Sequence, residues 1–262
     1  MTTFKKPEIH SKFILVTTQR SGSTWVIDML NSHPEIAAYG ELFLNNGKGT
    51  PAWCGEKDIV FWNTYFENIK FPGKKIIKPL FIFNYLNQVY SQKYFIKSVG
   101  FKLMYQQMSK YRYGLLAYIL FNKVSIIHLI RANHLDVILS QSAACVRGVY
   151  HSRDRENIED VKINLDTLEL VDRLKQQEKQ ICKAKNWYSN LGLPYMEVTY
   201  EDLATNKSTF NKILDFIGIE HQAMKLSSSL KKINPKSHAE LIANYESVKA
   251  TLQATHFYQF LR

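Results

Sequence analysis

The sequence predicts an α/β protein in which a parallel β-sheet is flanked by helices. Apolar, β-branched runs of strand length alternate with amphipathic segments of helix length along much of the chain. The first run, residues 13–18, leads through a short polar turn into a helical pattern, and this order is typical of α/β proteins that bind phosphate. Parallel strands covered on both faces are expected to be apolar throughout, as these runs are.

The individual elements are predicted in chain order. Strands are expected at residues 13–18, 98–104, 124–131 and 195–200, and helices at 23–32, 106–121, 134–147, 165–191, 207–217 and 238–253. The pattern is clearest over 165–191, where apolar residues mostly fall three or four positions apart. Gly192 and Pro194 are expected to end this helix.

One domain spanning residues 1–262 is predicted, because the chain has no internal repeat and no linker composition. It includes an irregular, aromatic-rich insertion at about 43–97 and a helical C-terminal part at about 203–262. Most aromatic side chains of the insertion are expected to pack a small core of their own, and a few to line an acceptor pocket.

Composition limits the possible partners and the compartment. The 262 residues carry a net charge of +11, so an anionic partner is expected: nucleic acid, anionic lipid or a polyanionic small molecule. Nucleic acid is disfavoured because no motif for it is present. The sequence has no membrane-spanning run and no signal peptide, which favours the cytoplasm. Cys54, Cys145 and Cys182 form no CxxC pair, so neither a zinc site nor a disulfide framework is indicated.

The turn at residues 19–25 has the composition of a phosphate cradle. N–H groups at a helix start lack partners within the helix and lie at its positive end. Gly22 would allow close approach of the backbone, while Arg20, Ser21, Ser23 and Thr24 add charge and hydroxyl donors. The GxxxxGK[ST] pattern is absent because Ser23 stands where its lysine would follow the glycine. Kinase and ATPase chemistry is therefore disfavoured.

The string Gln-Arg-Ser-Gly-Ser-Thr-Trp of residues 19–25 resembles the 5′-phosphosulfate loop of sulfotransferases that use 3′-phosphoadenosine 5′-phosphosulfate (PAPS). The resemblance implies a P-loop-like sulfotransferase fold. It also implies that this loop holds the donor through Arg20, Ser21, Gly22, Ser23, Thr24 and Trp25.

A second motif places Arg131 at the end of a predicted strand and Ser140 in the following helix. Ligands of open α/β sheets bind at the carboxyl ends of strands, so both residues can face the same crevice as the first loop. The pair resembles the 3′-phosphate motif of the PAPS family. Its nine-residue spacing is closer to that of bacterial small-molecule and glycolipid sulfotransferases than to the eight expected in the cytosolic branch.

Glu41 is the candidate general base. The Gly40-Glu41 pair resembles a segment of tyrosylprotein sulfotransferases and some bacterial relatives in which the glutamate takes the proton of the acceptor. An alcohol needs such a base, and a partly buried carboxylate can be tuned for that task. The steroid and phenol branch uses a histidine instead. His128 and His134 do not match its position, so they rank behind Glu41.

Three further segments complete the predicted site. Lys102 lies in an apolar strand, where burial requires an anionic partner, and it resembles the family lysine that reaches the transferring sulfuryl group. Tyr200 of a Tyr-Glu-Asp-Leu segment is expected to contact adenine, and Glu201 and Asp202 to cap the next helix. The family's late Arg-Lys-Gly loop is absent. Its substitutes would come from the basic stretch containing Lys231 and Lys236, and residues 147–155 are expected to border the acceptor pocket.

The resemblance implies direct in-line transfer of a sulfuryl group from PAPS, with 3′,5′-ADP as the product and no metal. Catalytic roles would fall to Glu41, Lys102 and Arg20. The expected acceptor is a small molecule such as a glycolipid, a sugar or a secondary metabolite, for example an alkaloid, sulfated on oxygen or nitrogen. Two alternatives stay open from the residues: a P-loop-type nucleotide kinase and a non-catalytic module that binds polyanions.

Overall fold

The computed structural model describes residues 11–44, 59–91, 95–148, 161–206, 208–220, 226–228, 230 and 237–261. Within them, five parallel strands form one sheet in the order β2-β3-β1-β4-β5. The strands are β1 (Ser11–Thr17), β2 (Ile36–Glu41), β3 (Ser98–Met104), β4 (Ser125–Ile130) and β5 (Tyr195–Thr199). The predicted α/β class with a helix-flanked parallel sheet is confirmed.

Helices connect the strands and cover the sheet. They are α1 (Ser23–Asn31), α2 (Trp62–Glu67), α3 (Lys78–Tyr90), α4 (Tyr105–Lys110), α5 (Arg112–Phe121), α6 (His134–Arg147), α7 (Thr167–Ser189), α8 (Tyr200–Thr205), α9 (Thr209–Phe216), α10 (His238–Leu241) and α11 (Tyr245–Gln253), followed by a 3₁₀ turn at His256–Phe260. None of the described helices has the length and apolar character needed to cross a lipid bilayer.

The four predicted strands are all present, but the prediction missed β2. Its sequence, Ile-Ala-Ala-Tyr-Gly-Glu, contains residues with low strand propensity. Tertiary contacts form the strand instead: β2 pairs with the buried β3, and the side chain of Asn31 exchanges two hydrogen bonds of 2.7 Å with the backbone of Ala38.

Three other expectations about the elements need correction. The insertion is not wholly irregular, because α2 and α3 lie within it. The helix expected at 106–121 is divided at Tyr111, whose ring is buried between α4 and α5. The helix expected at 238–253 is divided at Ile242, whose backbone forms a parallel bridge with Ile163.

Apolar packing covers both faces of the sheet. Helix α1 and helices α8 and α9 cover one face, where Val26, Leu203 and Phe210 pack against Phe13 of β1. The other face is covered by α2 to α5 and by the end of α7. Phe43, Trp62, Tyr65, Phe66 and Tyr85 of the insertion form continuous ring contacts there, together with Tyr111 at the start of α5. The expectation of a separate small core is wrong for these aromatics, because they belong to the cluster that covers the sheet.

A third cluster joins α6, α7, α10, α11 and the 3₁₀ turn beside the sheet. Leu139 of α6, Leu174 of α7 and Phe257 of the 3₁₀ turn are all fully or almost fully buried in it. The C-terminal segment is thereby attached to α6, the helix that follows β4. This attachment is how residues distant in sequence reach the carboxyl ends of the strands.

Candidate functional site

The turn between β1 and α1 has the backbone geometry of a cradle. Arg20 and Gly22 adopt left-handed conformations, with φ of 60° and 83°. Gly22 is the N-cap of α1 and has no side chain that could cap the helix start. A Cβ atom on Gly22 would lie 2.3 Å from Cδ2 of Tyr200, so this position requires glycine. The first N–H groups of α1 have no partner within the helix and can donate to a ligand or to water.

Buried hydroxyls fasten this turn to the neighbouring strand. The hydroxyls of Thr17 and Ser21 are 2.6 Å apart, and Thr17 donates to the carbonyl of Leu129 on β4 at 2.8 Å. Thr17 and Ser21 are fully buried. Because each hydroxyl has a protein partner, these two residues hold the backbone of the turn in place against β1 and β4.

The two predicted phosphate motifs come together at this turn. Nε of Arg20 donates to Oγ of Ser140 at 2.9 Å, which joins the first loop to α6. Arg131, at the end of β4, donates to the carbonyl of Arg20 at 3.4 Å. Its guanidinium carbon also lies 4.7 Å from the ring centre of Tyr200. The result is one concentration of positive charge at the carboxyl ends of β1 and β4.

Asp136 and His238 hold Arg131 in position. Oδ2 of Asp136 pairs with Nη2 of Arg131 at 3.0 Å, and Oδ1 lies 2.8 Å from Nε2 of His238. Burial opposes ionisation of Asp136, but the hydrogen bond from His238 and the charge of Arg131 outweigh it and hold the pKa of this carboxyl well below its usual range. Nε of Arg131 is buried and has no hydrogen-bond partner among the described residues.

A second charged cluster lies at the ends of β2 and β3. Glu41 and Lys102 face each other in the register of these strands, and Nζ of Lys102 lies 3.1 Å from Oε1 of Glu41. The same ammonium donates to Oγ1 of Thr24 in the first turn of α1 at 3.2 Å. Gln107 of α4 donates to the other oxygen of Glu41 at 2.8 Å. A carboxylate oriented by two donors therefore lies next to the cradle.

The profile of the sulfotransferase family matches residues 13–223, which is most of the chain. The chain belongs to the sulfotransferase family. The sheet and the helices around it are those of the P-loop-like sulfotransferase fold, as predicted.

A solved structure, a mouse sulfotransferase complexed with PAP, is similar over 82% of this chain and 62% of that one, at 13% identity and a TM-score of 0.37. The chain therefore spans less than two thirds of the length of that protein. A comparison with curated proteins gives no significant match.

In this sulfotransferase family member, the ring of Tyr200 packs against the loop of residues 19–25. Its ring contacts Trp25, with 5.7 Å between ring centres, and Trp25 in turn contacts Phe210 of α9. The prediction that Glu201 and Asp202 cap the next helix is wrong, because both lie in the first turn of α8, which Thr199 caps by accepting from the N–H of Asp202. Glu201 instead accepts from two backbone N–H groups before α6, those of Ala132 and Asn133.

The two histidines ranked behind Glu41 contact other parts of the fold. His128 is fully buried on β4 between the hydroxyls of Tyr105 and Tyr195, and burial lowers its pKa to about 4. His134 hydrogen-bonds through Nδ1 to the carbonyl of Arg131 and packs on Phe260. Neither ring lies in the Glu41 cluster.

Of the other residues predicted for the site, some lie in the part of the chain that the structure describes and some lie outside it. Ser23 is buried at the start of α1. Lys231, Lys236 and most of 147–155 lie outside the described residues. The described part of the chain contains no group of three or more metal-ligating side chains.

Sequence reasoning missed Gln107, Asp136 and His238 as members of the site. Asn133-x-x-Asp136 at a helix start was a readable signal, because the Asn133 side chain caps α6 by accepting from the N–H of Asp136. No local pattern links His238 to Asp136, because 102 residues separate them.

Proposed function

We propose that the chain transfers the sulfuryl group of PAPS to a hydroxyl or to an amine or amide nitrogen of a small-molecule acceptor. The observation that carries the proposal is the Glu41–Lys102–Thr24 cluster beside the cradle of residues 19–25. It combines a base, a cation and a helix start at one edge of the sheet, in a member of the sulfotransferase family. The acceptor class is a glycolipid, a sugar or a secondary metabolite such as an alkaloid.

The charge and shape of the cradle suit the donor. A phosphosulfate at the start of α1 would accept from its first N–H groups and from Ser23 and Thr24. Arg131 and Ser140 would bind the 3′-phosphate. The buried Nε of Arg131, which has no partner among the described residues, supports this role because a buried cationic donor is costly without an acceptor.

The chemistry follows from the two charged clusters. Glu41 would accept the proton of the acceptor as its oxygen or nitrogen attacks sulfur, while the bond from sulfur to the 5′-phosphate oxygen breaks. Negative charge then grows on that phosphate oxygen, which leaves as part of 3′,5′-ADP. Lys102 and Arg20 supply fixed positive charge for it, and fixed charge lowers the barrier because it needs no reorganisation.

Gln107 gives Glu41 a fixed orientation toward the acceptor. Its amide nitrogen donates to Glu41, while its amide oxygen accepts from the backbone N–H of Met104 at 3.0 Å. Both ends of this amide are thus held, so the carboxylate is positioned before the acceptor binds. Positioning of a base in this way avoids an entropic cost during reaction.

Transfer from radiolabelled PAPS to acceptors in an extract of the source organism tests the function. The expected result is a labelled organic product that forms with the wild-type chain and not with Glu41→Gln. A wild-type chain that yields no labelled product and instead transfers phosphate from magnesium ATP would contradict the proposal and favour the kinase alternative. Cytoplasmic location and a role in secondary metabolism remain part of the proposal.

A further inference from the structure

A basic and apolar surface lies on the loop before α3 and the first turn of that helix, next to the end of α4. We call it the basic apolar surface, and it consists of Lys70, Phe71, Lys75, Ile76, Lys78, Leu80 and Lys110. Ile76 is 85% exposed, Leu80 62% and Phe71 53%. Three large apolar side chains within ten residues are therefore in contact with solvent, which is unusual for a surface without a partner.

Contacts within this region hold the loop, the start of α3 and the end of α4 together. Nζ of Lys74 donates to three carbonyl oxygens of residues 66–69, at 2.8 to 3.0 Å, and so closes the loop onto α2. Nζ of Lys78 lies 4.9 Å from the ring centre of Tyr111, and Nζ of Lys110 lies 5.3 Å from the same centre. Phe71 contacts Phe81 of α3, with 6.2 Å between ring centres.

The charge of this part of the molecule is strongly one-sided. Described residues 59–91 and 95–123 contain nine lysines and arginines and one acidic residue, Glu67; two of the nine, Lys97 and Lys102, pair with Glu35 and Glu41, which leaves seven. Burial lowers the pKa of Lys78, and the nearby charge of Lys110 lowers it further. Cations that lie this close together favour an anionic partner that offers several negative groups.

We propose that the basic apolar surface docks on a lipid bilayer that contains anionic headgroups. Exposed lysines would meet the headgroups, and Ile76, Leu80 and Phe71 would enter the boundary of the acyl region. A nucleic acid would be matched by the lysines but would leave the exposed aliphatic side chains Ile76 and Leu80 unused. The combination of the two residue types therefore favours a lipid surface.

The position of this surface relates it to the Glu41 cluster. Lys110 ends α4, and Gln107 of the same helix donates to Glu41. Tyr111, which both Lys78 and Lys110 approach, also contacts Phe43, two residues after Glu41. Docking would therefore bring the Glu41 edge of the sheet close to the bilayer. Binding itself needs no donor, so it can be tested apart from the proposed transfer reaction.

Cosedimentation with vesicles tests the proposal. Vesicles of phosphatidylcholine alone are compared with vesicles that also contain phosphatidylglycerol, at low and at high salt. The wild-type chain is expected to bind only the anionic vesicles and to be released by salt, which screens exposed charges. Each lysine near an anionic surface contributes enough for about a fivefold change in binding. The double variant Lys70→Gln/Lys75→Gln is therefore expected to bind roughly 25-fold more weakly.

Matched variants on α7 separate this surface from general effects. Leu168 is 91% exposed there, so Leu168→Asp is the control for Ile76→Asp. Lys175 and Lys179 are exposed on the same helix, so Lys175→Gln/Lys179→Gln is the control for the lysine pair. Both α7 variants are expected to bind anionic vesicles like the wild type, whereas Ile76→Asp loses binding. Thermal unfolding of each variant shows that it is folded.

Three results would overturn the proposal: no binding by the wild type, equal binding to both kinds of vesicle, or equal losses in the two sets of variants. Light scattering addresses the competing occupant, a second copy of the chain. If the wild type is a dimer and Ile76→Asp makes it monomeric, the surface is a contact between copies and the bilayer proposal is wrong.

Discussion

At the scale of single residues, Glu41 is the side chain on which the proposed chemistry depends most. Its two carboxylate oxygens accept from Lys102 and Gln107, so it is held where β2 and β3 end. Lys102 serves two purposes there, because it pairs with the base and also contacts Thr24 of the cradle. The sequence predicted both residues, whereas Gln107 became recognisable only through its contact.

Replacing Glu41 by Gln keeps the shape of the side chain and removes its ability to take a proton. We expect kcat to fall by roughly 10²- to 10⁴-fold, the usual contribution of a general base. Affinity for 3′,5′-ADP should stay within about twofold, because the 3′-phosphate contacts are assigned to other residues. Glu67→Gln, at an exposed glutamate on α2, is the control. Unchanged kcat in Glu41→Gln would remove Glu41 from the mechanism.

Asp136 is predicted to be important for stability as well as for the position of Arg131. Asp136→Asn removes the carboxylate that pairs with the guanidinium of Arg131 and hydrogen-bonds the ring of His238. The free energy of unfolding should fall by about 2 to 3 kcal/mol, less than for a fully buried pair broken on one side, because the side chain of Asp136 is 15% exposed. Urea unfolding measures the change, and Asp202→Asn, at an exposed carboxylate of α8, should cost far less. Equal losses of unfolding free energy in Asp136→Asn and Asp202→Asn would show that the pair between Asp136 and Arg131 does not stabilise the fold.

His128 should make stability depend on pH. Its pKa is about 4 in the folded chain because burial disfavours the charged ring, compared with about 6.5 when unfolded. The unfolded chain therefore takes up the proton more readily, so this contribution is complete above about pH 6.5 and is lost as pH falls toward about 4. The loss is about 3 kcal/mol. Burial also lowers the pKa of His33 and His134, which act in the same direction.

Urea unfolding over this pH range checks the role of His128. The variant His128→Gln should show a shallower dependence on pH than the wild type. His256→Gln, at an exposed histidine of the 3₁₀ turn, should keep the wild-type dependence. If His128→Gln and the wild type lose stability in parallel, another group causes the pH dependence.

At the scale of elements, the β1–α1 turn combines a conformational requirement with a steric one. Gly22→Ala places a side chain at φ 83° and drives its Cβ into the ring of Tyr200. Gly192 has φ 68° and open space around it. Gly192→Ala therefore has the conformational cost of a positive φ without a steric clash. We expect about 1 kcal/mol of lost stability for Gly192→Ala. Gly22→Ala should lose more and should also weaken nucleotide binding, which calorimetry and urea unfolding can measure.

Equal losses of stability in Gly22→Ala and Gly192→Ala, with nucleotide binding intact in both, would contradict this account of the turn. In that case the ring of Tyr200 would move away without affecting the cradle. The comparison therefore separates strain in the backbone from the contact between Gly22 and Tyr200.

Local pattern predicted the elements that bury a regular apolar face and missed those that depend on neighbours. Strand β3 and helix α6 begin and end where predicted, because their periodicity and boundary residues agree. Strand β2 contains two alanines and a glycine and exists through pairing with β3. Helix α3 was not predicted, because it follows a basic loop, has Pro79 in its first turn and lies in an aromatic-rich segment without a clear helical pattern.

At the scale of the whole molecule, sheet topology explains why the site could be predicted in large part. Parallel strands bring Arg20, Glu41, Lys102 and Arg131 to the same edge, because each lies at or near the carboxyl end of its strand or in the turn that follows. Contacts between elements that are distant in sequence could not be predicted in this way. The link from Asp136 to His238 exists because the C-terminal helices pack on α6 and α7. The single-domain organisation stays a prediction.

Calorimetry without magnesium tests the central claim most directly, by comparing 3′,5′-ADP with 5′-AMP on the wild type and on Arg131→Ala. The account predicts that the wild type binds 3′,5′-ADP at least about tenfold more tightly, since a 3′-phosphate adds charge-assisted contacts. Arg131→Ala should lose most of that difference and keep its affinity for 5′-AMP. Equal affinity of the wild type for the two nucleotides, or binding only of ATP with magnesium, would contradict the account.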